Sequence, residues 1–383
     1  MNLFKIIWLV LLLVVISFFH CSKKPYEIKA VDGIRYIKNN YVSSPRAIDI
    51  SLKFPLGADE KTWLYIPVSV SCDSDTNIYI LETGSLRIKK FSKSGELICD
   101  FGRKGDGPGE LRSSQSIKID KNGNIYVFDN VKQSFEIYDS SGKWLSTKRT
   151  YKNISDFYIT KNNTLIMKSG VKDTLMCEYE LNGDMINKFC IPSFIAKAFS
   201  ASVKSILFTG DNNNNVYVCY RYFNRIEKYS SARNLEWVSE TILGFKQNTE
   251  PGMKEVAIQG AKISKPRINQ VFKSISVDVK SRVWLLAFRR EEKAEEMAFT
   301  IMPISDPGSI EHPTAVGNKN TEKPNPPLYE LQVFNDSGIL ISIIPITDYY
   351  LDNIYIFGNL LFTIDSNKTM MVYVYKIIET GNQ

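Results

Sequence analysis

The chain has 383 residues, of which 44% are hydrophobic and 23% charged. That mixture excludes a disordered or collagen-like chain and a polytopic membrane protein. Lys and Arg outnumber Asp and Glu by only 48 to 41, and so mild an excess gives no ground for a nucleic-acid partner. Two histidines, His20 and His312, exclude a site that needs several imidazoles.

Lys5 opens a small positive start, and an apolar run broken only by Ser17 fills residues 6–19. The run is too short to cross a hydrocarbon layer of ~30 Å, but it suits the core of a signal peptide. Cys21 follows, and Ser22, Lys23 and Lys24 turn the chain polar. The pattern resembles a bacterial lipoprotein signal. The resemblance implies that residues 1–20 are removed, that Cys21 is lipidated, and that 21–30 tether a body spanning 31–383. Such a chain is expected in the bacterial cell envelope, anchored to the inner or outer membrane, with ~0.8 kcal/mol per buried CH₂. An ordinary secretory signal or an uncleaved anchor is the alternative.

The remaining cysteines, Cys72, Cys99, Cys177, Cys190 and Cys219, lack CxxC or metal-ligand spacing. They suit core positions on strands, with a Cys177–Cys190 bridge as the other reading.

The body repeats. Residues 69–82 and 116–129 share Asp73 with Asp120 and Asn77-Ile78-Tyr79 with Asn124-Ile125-Tyr126, at an offset of 47. The same offset carries Phe91–Gly95 onto Tyr138–Gly142. Alternation in Ser116-Ile117-Lys118-Ile119 marks a half-buried strand, and Asn122-Gly123-Asn124 supplies the turn. Each unit reads as four short antiparallel strands, one propeller blade. Further copies open at Phe157, Leu207, Ser274 and Ile354. The expected fold is therefore an all-β, six-bladed β-propeller. The sixth copy lacks a fourth strand, and Ile34-Arg35-Tyr36-Ile37 is expected to supply it and close the ring. Residues 244–273 read as a long connection. Residues 289–328 read as an insertion in blade five, opening with a charged stretch that suits a short helix.

After the first blade stand Phe101, Gly102, Gly105, Gly107, Pro108 and Gly109, leading to Glu110-Leu111. This segment resembles the blade linker of NHL-repeat proteins and of six-bladed propeller lipoproteins of bacteria. The turn is expected to need a left-handed backbone at Gly107. Gly102-x-x-Gly105-x-Gly107 lacks the helix and the Lys-Ser/Thr pair of a phosphate loop, so it reads as a turn.

Asp73, Asp120 and Asp278 recur at one blade position. They read as turn caps, with Ca²⁺ ligation at the channel as the other possibility. A Ser-His-Asp triad would need His312, which has no nucleophile elbow to serve. Lys89-Lys90 and Arg289-Arg290 read as solvated pairs. Trp63, Trp144 and Trp237 read as packing, or as sugar-stacking platforms.

The expected role is a non-enzymatic binding or scaffold module for an envelope protein, peptide or glycan. The alternative is a metal-dependent hydrolase or lyase of the gluconolactonase or amidating-lyase propeller type, with a divalent ion in the channel. No nucleic-acid partner is expected.

Overall fold

The computed structural model describes residues 25–40, 46–149, 156–168, 174–192, 205–247, 250, 252–258, 261–291, 327–346, 351–366 and 369–381. Three strands precede the repeats: β1 (Tyr26–Val31), β2 (Ile34–Asn39) and β3 (Ile48–Leu56). Blade one holds β4 (Pro67–Cys72), β5 (Ile78–Glu82), β6 (Arg87–Phe91) and β7 (Leu97–Phe101). Blade two holds β8 (Ser114–Ile119), β9 (Ile125–Asp129), β10 (Ser134–Tyr138) and β11 (Trp144–Arg149). Blade three holds β12 (Phe157–Ile159), β13 (Leu165–Lys168), β14 (Met176–Tyr179) and β15 (Met185–Phe189). Blade four holds β16 (Ile206–Gly210), β17 (Val216–Tyr220), β18 (Ile226–Tyr229) and β19 (Leu235–Glu240). A hairpin of β20 (Met253–Ile258) and β21 (Ala261–Pro266) follows. Blade five holds β22 (Phe272–Val277), β23 (Val283–Phe288), β24 (Tyr329–Phe334) and β25 (Leu340–Ile346). Blade six holds β26 (Asn353–Phe357), β27 (Leu360–Asp365) and β28 (Met371–Glu379).

The six sheets form the expected six-bladed β-propeller. Six apolar clusters fill the junctions between adjacent blades. Trp237 and Trp284 are wholly buried there, and burial of an aromatic of this size contributes about 2–3 kcal/mol. The innermost strands approach closely because serines line them. Ser274 and Ser276 accept hydrogen bonds from the N–H groups of Ile354 and Ile356, at 3.1 and 3.0 Å.

The ring closes with an N-terminal strand, but a different one from that expected. β3 pairs antiparallel with β28, from Leu56 opposite Val372 to Ile48 opposite Glu379. Ile34–Ile37 lies in β2, which runs parallel to β19 on the outside of blade four. Two inward side chains hold it there. Ile37 enters the apolar junction between blades four and five. Asn39 donates to Ser239 Oγ and the Glu240 carbonyl, and accepts from the Leu340 N–H at 2.9 Å. The chain then crosses the edge of blade five, where Arg46 bridges Ser342 and the Ile48 N–H donates to Ser342 Oγ.

The two faces of the ring differ. On one face, turns 73–77, 120–124, 160–164, 211–215 and 278–282 join the first two strands of blades one to five. Turns 92–96, 139–143, 180–184, 230–234 and 335–339 join the last two. All are five residues long with a positive φ at the fourth, from Ser281 at 57° to Gly183 at 100°. The other face carries connections from 83–86 to 289–328. We call these the closed and open faces. The region expected as a connection, 244–273, instead contains the antiparallel β20–β21 hairpin and runs into β22 at Phe272. The neck of 289–328 is closed by Phe288 opposite Tyr329 and by a 2.9 Å bond from Arg289 N to Leu328 O. Residues 292–326, with His312 and most of the helix expected there, lie outside the described residues, as does Cys21. Among the described residues no helix is long and apolar enough to cross a membrane.

Candidate functional site

The recurrent aspartates sit at the closed-face end of the innermost strands, each inside its own turn. Asp120 Oδ1 accepts from the N–H groups of Asn122 and Asn124, both at 2.9 Å. Its Oδ2 accepts from Asn124 Nδ2 at 3.0 Å and Tyr126 OH at 3.4 Å. Asp73 does the same with Asp75, Asn77 and Tyr79. Asp278 does so with Lys280, Arg282 and Trp284. Asp211 completes the set with Asn213, Asn215 and Tyr217. The repeat Asp-x-x-x-Asn-x-Tyr is thus one hydrogen-bonded unit. Burial, with the neighbouring Asp120 carboxylate, pushes the Tyr126 hydroxyl up to about 12. Both oxygens of these carboxylates are engaged by donors, and the four stand on separate blades. Among the described residues no group of three His, Cys, Asp or Glu is placed to hold a metal ion.

The glycine-rich linker clasps blades one and two. Leu111 is wholly buried between them. Gly109 donates to Glu136 Oε2 at 3.1 Å, and Lys132 Nζ reaches the Gly107 and Glu110 carbonyls. Gly102 and Gly109 adopt φ of 75° and 70°. Gly107 does not adopt a positive φ, contrary to expectation. Its N–H instead donates to Glu110 Oε2 at 2.8 Å, and a Cβ there would meet that oxygen at 3.0 Å.

Arg289 is exposed, as expected of a solvated pair, but Lys89 is not solvated, and Lys90, Trp237 and Trp144 bond across to neighbouring groups. Lys89 pairs with buried Glu82, and Lys90 donates to the Ser140 carbonyl. Trp237 donates to the Asp336 carbonyl, and Trp144 to Glu136. Cys177, Cys190 and Cys219 are buried and form no disulfide, so Cys177 and Cys190 are not bridged.

The channel holds the chemistry that the sequence reading did not single out. A cavity of about 220 Å³ lies along it, lined by all six blades and including Cys72, Lys118, Asp156 and Tyr355. Lys118 Nζ stands 3.2 Å from Asp156 Oδ1 and 5.6 Å from the centre of the Tyr355 ring. Ser116 Oγ donates to the same Asp156 oxygen at 2.6 Å. Towards the open face, Lys273 pairs with Asp352 at 3.2 Å and donates to Tyr329 OH. Lys168 ends β13 there, and Arg221 follows β17. Burial depresses both cations. Asp156 pulls Lys168 back up, and Arg221 pushes it further down. These residues escaped notice because each occurs once, whereas the turn aspartates repeat.

Comparison with solved structures shows the same ring. A member of the DUF4221 family from Bacteroides vulgatus overlaps with a TM-score of 0.58 at 11% identity, over 88% of this chain and 100% of that one. A candidate exported protein from Bacteroides fragilis overlaps with a TM-score of 0.53 at 10% identity, over 90% of this chain and 99% of that one. Virginiamycin B lyase from Staphylococcus aureus overlaps with a TM-score of 0.49 at 9% identity, over 86% of this chain and 100% of that one. Among curated proteins no match is found. The family model of DUF5128, a 6-bladed β-propeller, matches residues 60–291, and the chain belongs to that family.

Proposed function

We propose that the chain is an exported, NHL-like, lipid-tethered binding module. Its open face holds an envelope protein, a peptide or a glycan, and the lipid on Cys21 holds the ring to the membrane. One observation carries this reading: every long connection leaves from one face, while described turns on the other are uniform five-residue hairpins or shorter. The closed face spends its polar groups on its own backbone. The open face gathers connections of many different lengths, from 83–86 to 289–328, around one channel mouth, the arrangement by which a rigid scaffold presents variable loops for recognition. The similarity to a candidate exported protein agrees with export.

The test places a photo-crosslinking amino acid at four sites in the full chain. Val131 and Lys104 report the open face, and Lys121 and Val279 the closed face. Crosslinks to envelope components are expected from Val131 and Lys104 alone. Adducts confined to Lys121 and Val279, or adducts from none of the four, would overturn the reading.

A further inference from the structure

We infer that the open-face end of the channel binds an oxyanion, a carboxylate or phosphate group carried by the ligand, at Lys168 and Arg221. The inference rests on the reading of the open face as the recognition surface.

The repeat register carries it. Eight positions after the turn residue, blades one, two, four and five place Leu81, Phe128, Cys219 and Leu286, all buried. Blade three places Lys168 there, eight positions after Thr160. A lysine at a position that the fold fills with apolar side chains carries a desolvation cost and no packing gain. Departures from an otherwise consistent pattern of this kind concentrate at functional sites.

The charges around it do not balance. Lys168, Arg221 and Lys273 stand at the open-face ends of blades three, four and five, against Asp156 and Asp352, and Lys118 reaches Asp156 from blade two. Asp156 is engaged by Lys118 and Ser116, and Asp352 by Lys273. Among the described residues no carboxylate is within ion-pair distance of Lys168 or Arg221.

Arg221 is well founded. Its N–H donates to the Ser205 carbonyl at 3.0 Å, and its carbonyl accepts from Val271 at 2.8 Å and Phe272 at 3.2 Å. The backbone is thereby fixed between the first strands of blades four and five. A guanidinium on a fixed base presents a planar fork that matches a carboxylate or phosphate. An anion there also relieves the mutual repulsion of the two cations.

The test is calorimetry on the full chain with glucuronate, inorganic phosphate and neutral glucose. Glucuronate or phosphate should bind and glucose should not, and which of the two binds tells a carboxylate ligand from a phosphate one. Lys168→Met and Arg221→Met should each weaken binding by about tenfold to a hundredfold. Lys168→Met should melt at or above the wild-type temperature, whereas a lysine of structural importance would lower it. Acetylation footprinting of the wild-type chain gives a readout independent of folding in the variants. Phosphate or glucuronate should slow acetylation of Lys168 and leave Lys121 unchanged. Equal binding of glucose and glucuronate, or no protection of Lys168 by either anion, overturns the inference. Open-face crosslinks without anion binding sink this inference alone, and anion binding without such crosslinks sinks the broader reading alone.

Discussion

Gly142, in the last turn of blade two, seats the ring of Phe101 from the outer strand of blade one. A Cβ on Gly142 would stand 2.5 Å from Phe101 Cδ1. The same relation joins Gly338 to Trp237, at 3.1 Å, and Gly95 to Phe54, at 3.0 Å. Each is a turn glycine of one blade against an outer-strand aromatic of the blade before it.

Replacing Gly142 by Ala therefore combines a left-handed φ of 88° with a clash. A loss of about 2–4 kcal/mol is expected in denaturant unfolding. Gly123→Ala has a similar φ of 81° but no atom within 4 Å of the new methyl, and should lose only about 1 kcal/mol. Equal losses would show that the seat for Phe101 contributes nothing.

Asp120→Ala removes the acceptor for three N–H donors and the Tyr126 hydroxyl. A loss of about 2–3 kcal/mol is expected, since some of those donors stay buried without a partner. Added Ca²⁺ should not alter the wild-type melting temperature through this residue. A calcium-dependent rise that Asp120→Ala abolishes would restore the ligand reading.

Asp129 sets a pH dependence. Burial pushes its carboxyl upward, but N–H groups of Lys132, Arg112 and Ser113 and the Ser114 hydroxyl outweigh it and hold it below the usual range. A depressed folded pKa contributes stability above the unfolded value of about 3.9 and loses it as pH falls through the folded value. The stability gap between wild type and Asp129→Asn should be flat above about pH 5 and should shrink below about pH 4. A gap that widens with acid would reverse the sign.

The neck at Phe288 and Tyr329, whose rings lie 5.0 Å apart, makes the insertion separable. Deleting 300–325 should leave the melting temperature nearly unchanged. Loss of cooperative unfolding would show that the insertion is structural.

The ring was legible because its signals are local and repeated. Asp, Asn and Tyr recur at fixed spacing since one carboxylate organises each turn. The closing strand was not legible. β3 and β2 find their partners hundreds of residues away, and no local pattern records such pairing. Pro55 in β3 also argues against a strand, yet on an outer edge its missing N–H faces no neighbour. Lys168 was hidden differently, since it stands out only after the blades are brought into register.

The pairing of β3 with β28 has a consequence for folding. The closing strand, β3, precedes all five complete blades in the chain, and its partner, β28, follows them. Blade six is incomplete until the two meet, so before ring closure its sheet has an open edge at β28. The circle therefore shuts only once every intervening blade strand is present and β28 has reached β3.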